Sequence, residues 1–215
     1  MERIPENKFE ILLGELEDCP HFTNQDKAHL ILVAAGLKSA CVIEIINPLK
    51  ASYEAEIAEE QHRKNTEDFE RSIKKLENIL RELSLPYHSI GVVIKESQNW
   101  PGYESTQFSI GKNKEALSLL VDADKEVDDK MKSERVAEAL DIPKTAIQAW
   151  SVGKIKDPET LPGDIKESDY YHFIDFALSE DHWKEELEVV RDRAEKIRQI
   201  VPWLYESTIS SSKDN

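Results

Sequence analysis

Glycine, cysteine and long apolar runs are all scarce in this sequence of 215 residues. Its seven glycines are about half the usual share, which argues against the Gly-rich loops that bind many cofactors. Two cysteines, Cys19 and Cys41, cannot build a disulfide framework and favour a reducing, cytoplasmic setting. No run of about 18 uncharged apolar residues occurs, so the sequence predicts no membrane span. The first residues lack the basic and then apolar pattern of a signal peptide.

Positive charge is also in short supply. The chain has 28 Lys and Arg against 43 Asp and Glu, which gives a formal net charge of −15. This balance argues against a protein whose whole surface coats nucleic acid or an anionic membrane. Residues 131–156 nevertheless carry a net charge of +2, which leaves −17 for the rest of the chain.

The apolar pattern predicts one α+β domain that is mostly helical, with a small three-stranded sheet. The expected strands are 40–46, 89–95 and 104–110, and the last two form a hairpin because Pro101-Gly102 between them is a turn dipeptide. Helices are expected at 6–18, at 24–36 from an Asn24 N-cap to Gly36, along the long stretch 52–84, and at 112–121, 125–140, 144–151, 167–179 and 180–201. Residues 1–121 are an α+β portion, 122–206 a helical portion packed on it, and 207–215 a disordered tail.

Two of these helices carry short heptad seams of apolar residues, at 69–83 and at 187–201. Two heptads are too few to establish a coiled coil. The seams can pack in the core of this chain, pair with each other, or contact a protein partner or a second copy in a homodimer.

Residues 133–150 resemble the helix-turn-helix family. Ala137 is the small residue where the two helices meet, and Asp141 occupies the turn position that needs a positive φ. The residues expected to fill the shared core are Val136, Leu140, Ile142, Ile147 and Trp150. The resemblance implies that Lys144, Thr145 and Gln148 face the DNA major groove, where Gln can pair with adenine. Acidic stretches on both sides, 122–130 and 157–170, would repel a phosphate backbone and favour a purely structural helix pair.

A second resemblance covers more of the C-terminal half. Gly111-Lys112 opens a helix, residues 139–143 follow, then Ala146-Ile147 and Trp150, and then an aromatic-rich stretch. This order resembles archaeal-type proteins of unknown function, which carry a Leu-Gly-Tyr-Pro element followed by Cys, Val and an aromatic residue. Here Asp141 stands for the Gly, Ile142 stands for the Tyr, and the cysteine is absent. The resemblance implies an organisation of the chain and no chemistry.

Three further groups of residues are candidates for binding. Gly111, Lys112 and Lys114 lie where a strand meets a helix, which suits an anion site, although the pattern is far short of a P-loop and also fits an ordinary turn. Tyr171, His172 and His182 belong to the densest aromatic stretch and are candidates for a ligand or partner surface. Trp100 in the hairpin loop is another, because aromatic loop residues often bind.

No cofactor or metal site is predicted. Cys19, His21 and His29 supply three potential zinc ligands, whereas a structural zinc site needs four. The acidic run Asp122, Asp124, Glu126 and Asp128 lacks the glycine and the bidentate glutamate of a calcium loop.

Three functions remain open from the sequence. The first is a cytoplasmic, non-enzymatic binding or regulatory protein that uses its helical half to contact a partner. The second is a DNA-binding regulator that uses residues 133–153, and the third is a small enzyme that acts on an anionic substrate through Lys112 or Lys114. No complete catalytic motif is present, which favours the first function.

Overall fold

The computed structural model describes residues 11, 14, 21–48, 58–94 and 103–213. Within these ranges the chain forms eight α-helices and one three-stranded antiparallel sheet, which confirms the predicted helix-rich α+β domain. None of the helices in the described ranges is both long enough and apolar enough to cross a bilayer.

The sheet has the strand order β1-β3-β2, with β1 at Ala40–Pro48, β2 at Tyr87–Ile94 and β3 at Tyr103–Gly111. The central strand, β3, is antiparallel to both neighbours, so β2 and β3 form the predicted hairpin. Ile43 of β1 lies opposite Phe108 of β3, and both side chains are fully buried. The loop with Trp100 lies outside the described residues.

The helices are α1 (Asn24–Ala34), α2 (Ala58–Glu82), α3 (Lys114–Asp124), α4 (Asp129–Ala139), α5 (Lys144–Ser151), α6 (Gly163–Lys166), α7 (Trp183–Ile200) and α8 (Pro202–Lys213). Short 3-10 turns lie at Pro158–Thr160 and Asp169–Phe173. The cap of α1 is Thr23 and not the expected Asn24, because Thr23 and Asp26 exchange hydrogen bonds in a capping box. Gly36 follows the helix with φ +74°, in agreement with the sequence.

Both heptad seams pack into one core. Leu76 and Leu80 of α2 and Val190 and Ile197 of α7 belong to the same buried cluster as Phe108 of the sheet. This cluster draws on both predicted portions of the chain, from Phe22 to Ile209. The chain's own core thus covers most of the seam side chains, in agreement with the first of the three alternatives, and a partner or homodimer contact through 69–83 and 187–201 stays a prediction.

Two other sequence expectations are wrong. Residues 174–179 are not helical: Ile155 forms a β-bridge with Ser179, and the N–H of Lys156 donates to the carbonyl of Leu178 at 2.8 Å. The tail predicted to be disordered from 207 instead continues α8 as far as Lys213. Thr208 and Ile209 are buried there, and Ile209 belongs to the main core, so packing holds this otherwise polar helix in place.

Candidate functional site

An open apolar groove lies between the helix pair α4–α5 and the segment 174–178. Its volume is about 360 Å³. The residues that line it are Ser133, Val136, Ala137, Leu140, Ile142, Ala146, Ile147, Trp150, Phe176 and Ala177. Ser133 is the one lining residue with a polar side-chain group other than the indole N–H of Trp150.

The sequence folds into this groove because of the spacing of α4 and the turn after it. Residues 133, 136, 137 and 140 share one face of α4, as positions three and four apart do on a helix. Asp141 then adopts φ +54°, the left-handed turn that the sequence predicts at this position. The turn brings Ile147 and Trp150 of α5 to face the stripe of α4.

The lining residues are less buried than a helix-turn-helix core requires. Ile147 is buried, whereas Val136, Leu140 and Ile142 are only half-buried and Trp150 is 48% exposed. The reason is that the wall opposite the helix pair is Phe176 and Ala177, from an irregular segment that leaves the groove open to solvent.

More exposed apolar side chains occur in the same part of the chain. Ten large hydrophobic residues are exposed among the described residues, and six of these fall within residues 119–155. The six are Leu119, Val127, Met131, Trp150, Val152 and Ile155. Single exposed hydrophobics are ordinary, and of these six Trp150 lines the groove.

The N-terminal end of α5 is hydrogen-bonded to α7. The Thr145 hydroxyl donates to Oε1 of Glu186 on α7 at 2.6 Å, and Glu186 is only 1% exposed. Glu186 also accepts hydrogen bonds from the Ser179 amide at 2.7 Å and the Ser179 hydroxyl at 2.8 Å. The Thr145 hydroxyl is therefore engaged within the protein, and its expected contact with DNA stays a prediction.

The other two DNA-contact candidates, Lys144 and Gln148, are exposed. They line a shallow depression of about 170 Å³ together with Glu134 and Glu138 of α4. Two carboxylates beside the proposed recognition residues would repel phosphate groups. The geometry therefore favours the structural helix pair over a DNA-binding one.

A buried ion cluster lies next to the groove, centred on Asp175. Its carboxylate accepts from Nζ of Lys38 at 2.8 Å, lies 3.0 Å from Nε2 of His29, and accepts from Nη1 of Arg193 at 3.3 Å. The side chains of Lys38, Asp175 and Arg193 are 3%, 6% and 10% exposed. Burial alone would raise the pKa of Asp175, but the hydrogen bonds and positive charges of His29 and Lys38 outweigh it and hold that pKa well below its usual range.

The same cluster reaches the turn between α4 and α5. Nη2 of Arg193 donates to the carbonyl of Asp141 at 2.6 Å, and the Asp141 carboxylate accepts from the N–H of Ser39. Sequence reasoning missed this cluster, since Lys38 and Asp175 are 137 positions apart and no local pattern joins them.

The predicted anion site at Gly111, Lys112 and Lys114 has the geometry of a strand-to-helix turn. The side chain of Asn113 caps α3 by accepting from the N–H of Ala116 at 2.8 Å, so this first-turn donor is already satisfied. The N–H of Gly111 donates to Pro86 and that of Lys112 donates to Ser39. Neither lysine lines the groove or the cleft described next.

The aromatic candidates separate in the structure. Tyr171 packs edge-on against His172, with ring centroids 5.9 Å apart, and His172 borders a cavity of about 20 Å³ beside Asp175. His182 is exposed at the start of α7. Their neighbours Tyr170 and Trp183 instead line a cleft of about 370 Å³. Its charged residues are Asp164, Lys184, Glu188 and Arg191, which are mixed in sign and select no ligand charge.

Cys41 is not arranged for nucleophilic chemistry. It is buried in β1, and burial raises the pKa of its thiol to about 12, so the thiolate is not formed near neutral pH. In the described ranges, no three His, Cys, Asp or Glu side chains are grouped so as to hold a metal ion.

Comparison with known proteins assigns no family to this chain. A scan against protein-family models finds no match, and searches of curated proteins and of solved structures find none either. The function has to be inferred from the geometry of the groove.

Proposed function

We propose that this protein is a cytoplasmic, non-enzymatic binding protein whose groove takes the apolar face of a helix from a partner protein. The observation that carries the proposal is the open apolar groove between α4, α5 and residues 174–178, with Trp150 exposed at its side. The small number of cysteines and the free thiol of Cys41 support a reducing compartment.

The shape of the groove favours a helix as its occupant. Two adjacent helices present apolar stripes toward one opening, and such a pair receives the side-chain ridge of a third helix. Binding of an amphipathic helix in an apolar groove is a recurring mode of peptide recognition. A continuous stripe also suits apolar residues three and four positions apart on the partner.

Charge favours acidic flanks on that partner helix. Residues 131–156 have a net charge of +2 in a chain of −15, and this segment supplies most of the residues that line the groove. Lys130 and Lys154 are exposed, form no ion pair among the described residues and remain available to a partner's carboxylates. Two copies of this chain would bring like charges together, which favours a different protein over a homodimer.

The chemistry of the groove supports binding over catalysis. Acid–base and nucleophilic mechanisms need a titratable or activated group within hydrogen-bond reach of the reacting atoms. None of the residues that line the groove is Asp, Glu, His, Lys or Cys. An apolar groove of this kind contributes to affinity through the apolar surface that is buried when a partner binds.

The test uses a synthetic amphipathic peptide of about 15 residues, since shorter helices are marginal in water. Its apolar positions carry Leu at helical spacing and its other face carries Glu. Fluorescence anisotropy of the labelled peptide measures binding to the wild-type protein and to two variants. Trp150→Glu places a charge at the groove, and Leu119→Glu makes the same kind of change at a residue of α3 that is 67% exposed and does not line the groove.

We expect saturable binding to the wild-type protein and to Leu119→Glu, and at least tenfold weaker binding to Trp150→Glu. A scrambled peptide of equal composition, which cannot form one apolar face, should bind at least tenfold more weakly than the ordered one. Equal binding of both peptides, or equal binding by both variants, contradicts the proposal.

A further inference from the structure

We infer that Arg193 is a positioning residue that sets the separation between the two walls of the groove. One wall is the helix pair α4–α5 with its turn at Asp141, and the other is the segment with Phe176 and Ala177. The binding part of this inference rests on the proposed function, whereas the geometric part does not.

A single guanidinium group contacts both walls. Nη2 of Arg193 donates to the carbonyl of Asp141 at 2.6 Å, one residue before Ile142 of the groove. Nη1 of the same side chain donates to Oδ1 of Asp175 at 3.3 Å, one residue before Phe176. Arg193 lies on α7, which packs in the main core through Val190, Ala194 and Ile197. Both walls are therefore tied to one rigid helix.

The planar guanidinium suits this role. Its N–H groups diverge in a fixed plane, so it can hold two acceptors at a set angle, whereas a lysine ammonium on a flexible stem imposes no such geometry. The side chain of Arg193 is 10% exposed and that of Asp175 is 6% exposed. Hydrogen bonds between charged groups are stronger in such a poorly hydrated place than at the surface.

The junction between α1 and β1 holds the same two walls from another side. Lys38 binds the carboxylate of Asp175, and the N–H of the next residue, Ser39, binds the carboxylate of Asp141. His29 of α1 completes the contacts of Asp175. The walls are thus held by two neighbouring residues of the α1–β1 loop and by Arg193 of α7, and in the part of the chain that the structure describes Arg193 is the one side chain that bonds to both.

The experiment replaces Arg193 and compares it with a neighbour on the same helix. Arg193→Gln removes the charge and the forked donors. Arg191→Gln is the matched control, because Arg191 is exposed and pairs with Glu188 in the same turn of the helix. Arg193→Lys keeps the charge but not the planar geometry. Because its charge still compensates Asp175, it is the variant to measure if Arg193→Gln does not fold.

Three readouts are collected for each folded variant: the NMR shift of the Trp150 indole N–H, the affinity for the acidic amphipathic peptide, and the thermal midpoint. We expect Arg193→Gln and Arg193→Lys to move the indole signal, with the smaller displacement in the Lys variant. Peptide affinity should fall at least tenfold for Arg193→Gln. Arg191→Gln should leave the indole signal and the affinity unchanged.

The outcomes separate positioning from a merely structural role. If the Arg193 variants lower the thermal midpoint but keep the wild-type Trp150 signal, Arg193 only stabilises the fold and the inference is overturned. If the wild-type protein binds no peptide while the Trp150 signal still moves in the Arg193 variants, the proposed function fails and the positioning role stands.

Discussion

At the scale of single residues, Asp175 connects several segments of the fold, although nothing in the sequence around it indicates this role. Its carboxylate contacts α1 through His29, the following loop through Lys38 and α7 through Arg193. A buried carboxylate with several cationic partners ties segments together, and the removal of one member leaves the others buried without compensation.

We therefore predict that Asp175→Asn destabilises the fold strongly. Lys38 and Arg193 would remain buried without their counter-ion, which costs about 3–5 kcal/mol in comparable buried pairs. The free energy of unfolding from urea denaturation measures the loss. The control is Asp122→Asn, whose exposed ion pair with Lys125 should leave the unfolding free energy unchanged. Equal stability of both variants contradicts the role of the cluster.

The same carboxylate determines part of the acid stability. The pKa of Asp175 in the folded chain lies below the ordinary value of 3.8, so the unfolded chain takes up this proton first as the pH falls. The stabilisation is complete above the unfolded value and is lost as the pH falls below about 5 toward the folded value. Urea titrations at several pH values should show a shallower acid slope for Asp175→Asn than for the wild-type protein. Parallel slopes contradict this assignment.

Sequence reasoning succeeded at residues whose backbone geometry is local. Asp141 and Gly36 were predicted as turn and helix-end positions, and both have positive φ. The ion cluster was beyond reach because each member is an ordinary charged residue in its own segment. Only the fold brings Lys38 to Asp175.

At the scale of elements, helical spacing predicts apolar faces better than it predicts what covers them. The seams of α2 and α7 were identified from their spacing, yet the same spacing fits a core, a coiled coil or a partner contact. The burial of Leu76, Leu80, Val190 and Ile197 shows that these side chains of the two seams pack in the chain's own core.

The aromatic stretch shows the opposite failure, in which helical spacing occurs without a helix. Tyr170, Phe173, Ile174 and Ala177 fit one helical face, but the chain forms a 3-10 turn at Asp169–Phe173 and is then irregular as far as a β-bridge at Ser179. The backbone of residues 178 and 179 pairs with residues 155 and 156, and this tertiary pairing overrides local spacing.

The junction of β3 and α3 gives a prediction about a single glycine. A Cβ on Gly111 would lie 2.5 Å from the backbone N of Leu117 and 2.8 Å from the carbonyl of Asn113. Gly111→Ala must therefore push α3 away from the sheet, and we expect a loss of about 1–3 kcal/mol in unfolding free energy.

The matched control is Gly91→Ala in β2, where nothing lies within 4 Å of the added Cβ. Alanine there should leave stability unchanged or raise it slightly, because glycine costs backbone entropy in a strand. Chemical denaturation measures both variants. A Gly111→Ala protein as stable as Gly91→Ala contradicts the close approach of α3 to the strand.

At the scale of the whole molecule, the sequence predicts one wall of the groove but not the other. The residues expected in a helix-turn-helix core, Val136, Leu140, Ile142, Ile147 and Trp150, all line it. The sequence could not show that this core stays open, since the opposite wall, Phe176 and Ala177, was expected in a helix. Its true position depends on Asp175 and on the backbone pairing at 155–156.

The distribution of charge over the folded chain also bears on which partner the groove suits. The net charge of −15 argues only against wholesale coating of nucleic acid or membrane. In the folded chain residues 131–156, with a net charge of +2, contain most of the apolar groove. Apolar surface and local positive charge therefore coincide on one face, as expected of a site for an acidic amphipathic helix.

The most direct test of that account is an NMR titration of the ¹⁵N-labelled protein with the acidic amphipathic peptide. We predict that the largest shift changes occur at Val136, Leu140, Ile147, the Trp150 indole and Phe176, and that they saturate together with one affinity. Shift changes that map instead to the cleft at Trp183 or to the sheet, or the absence of any saturable change, would contradict the claim that this groove is the binding site.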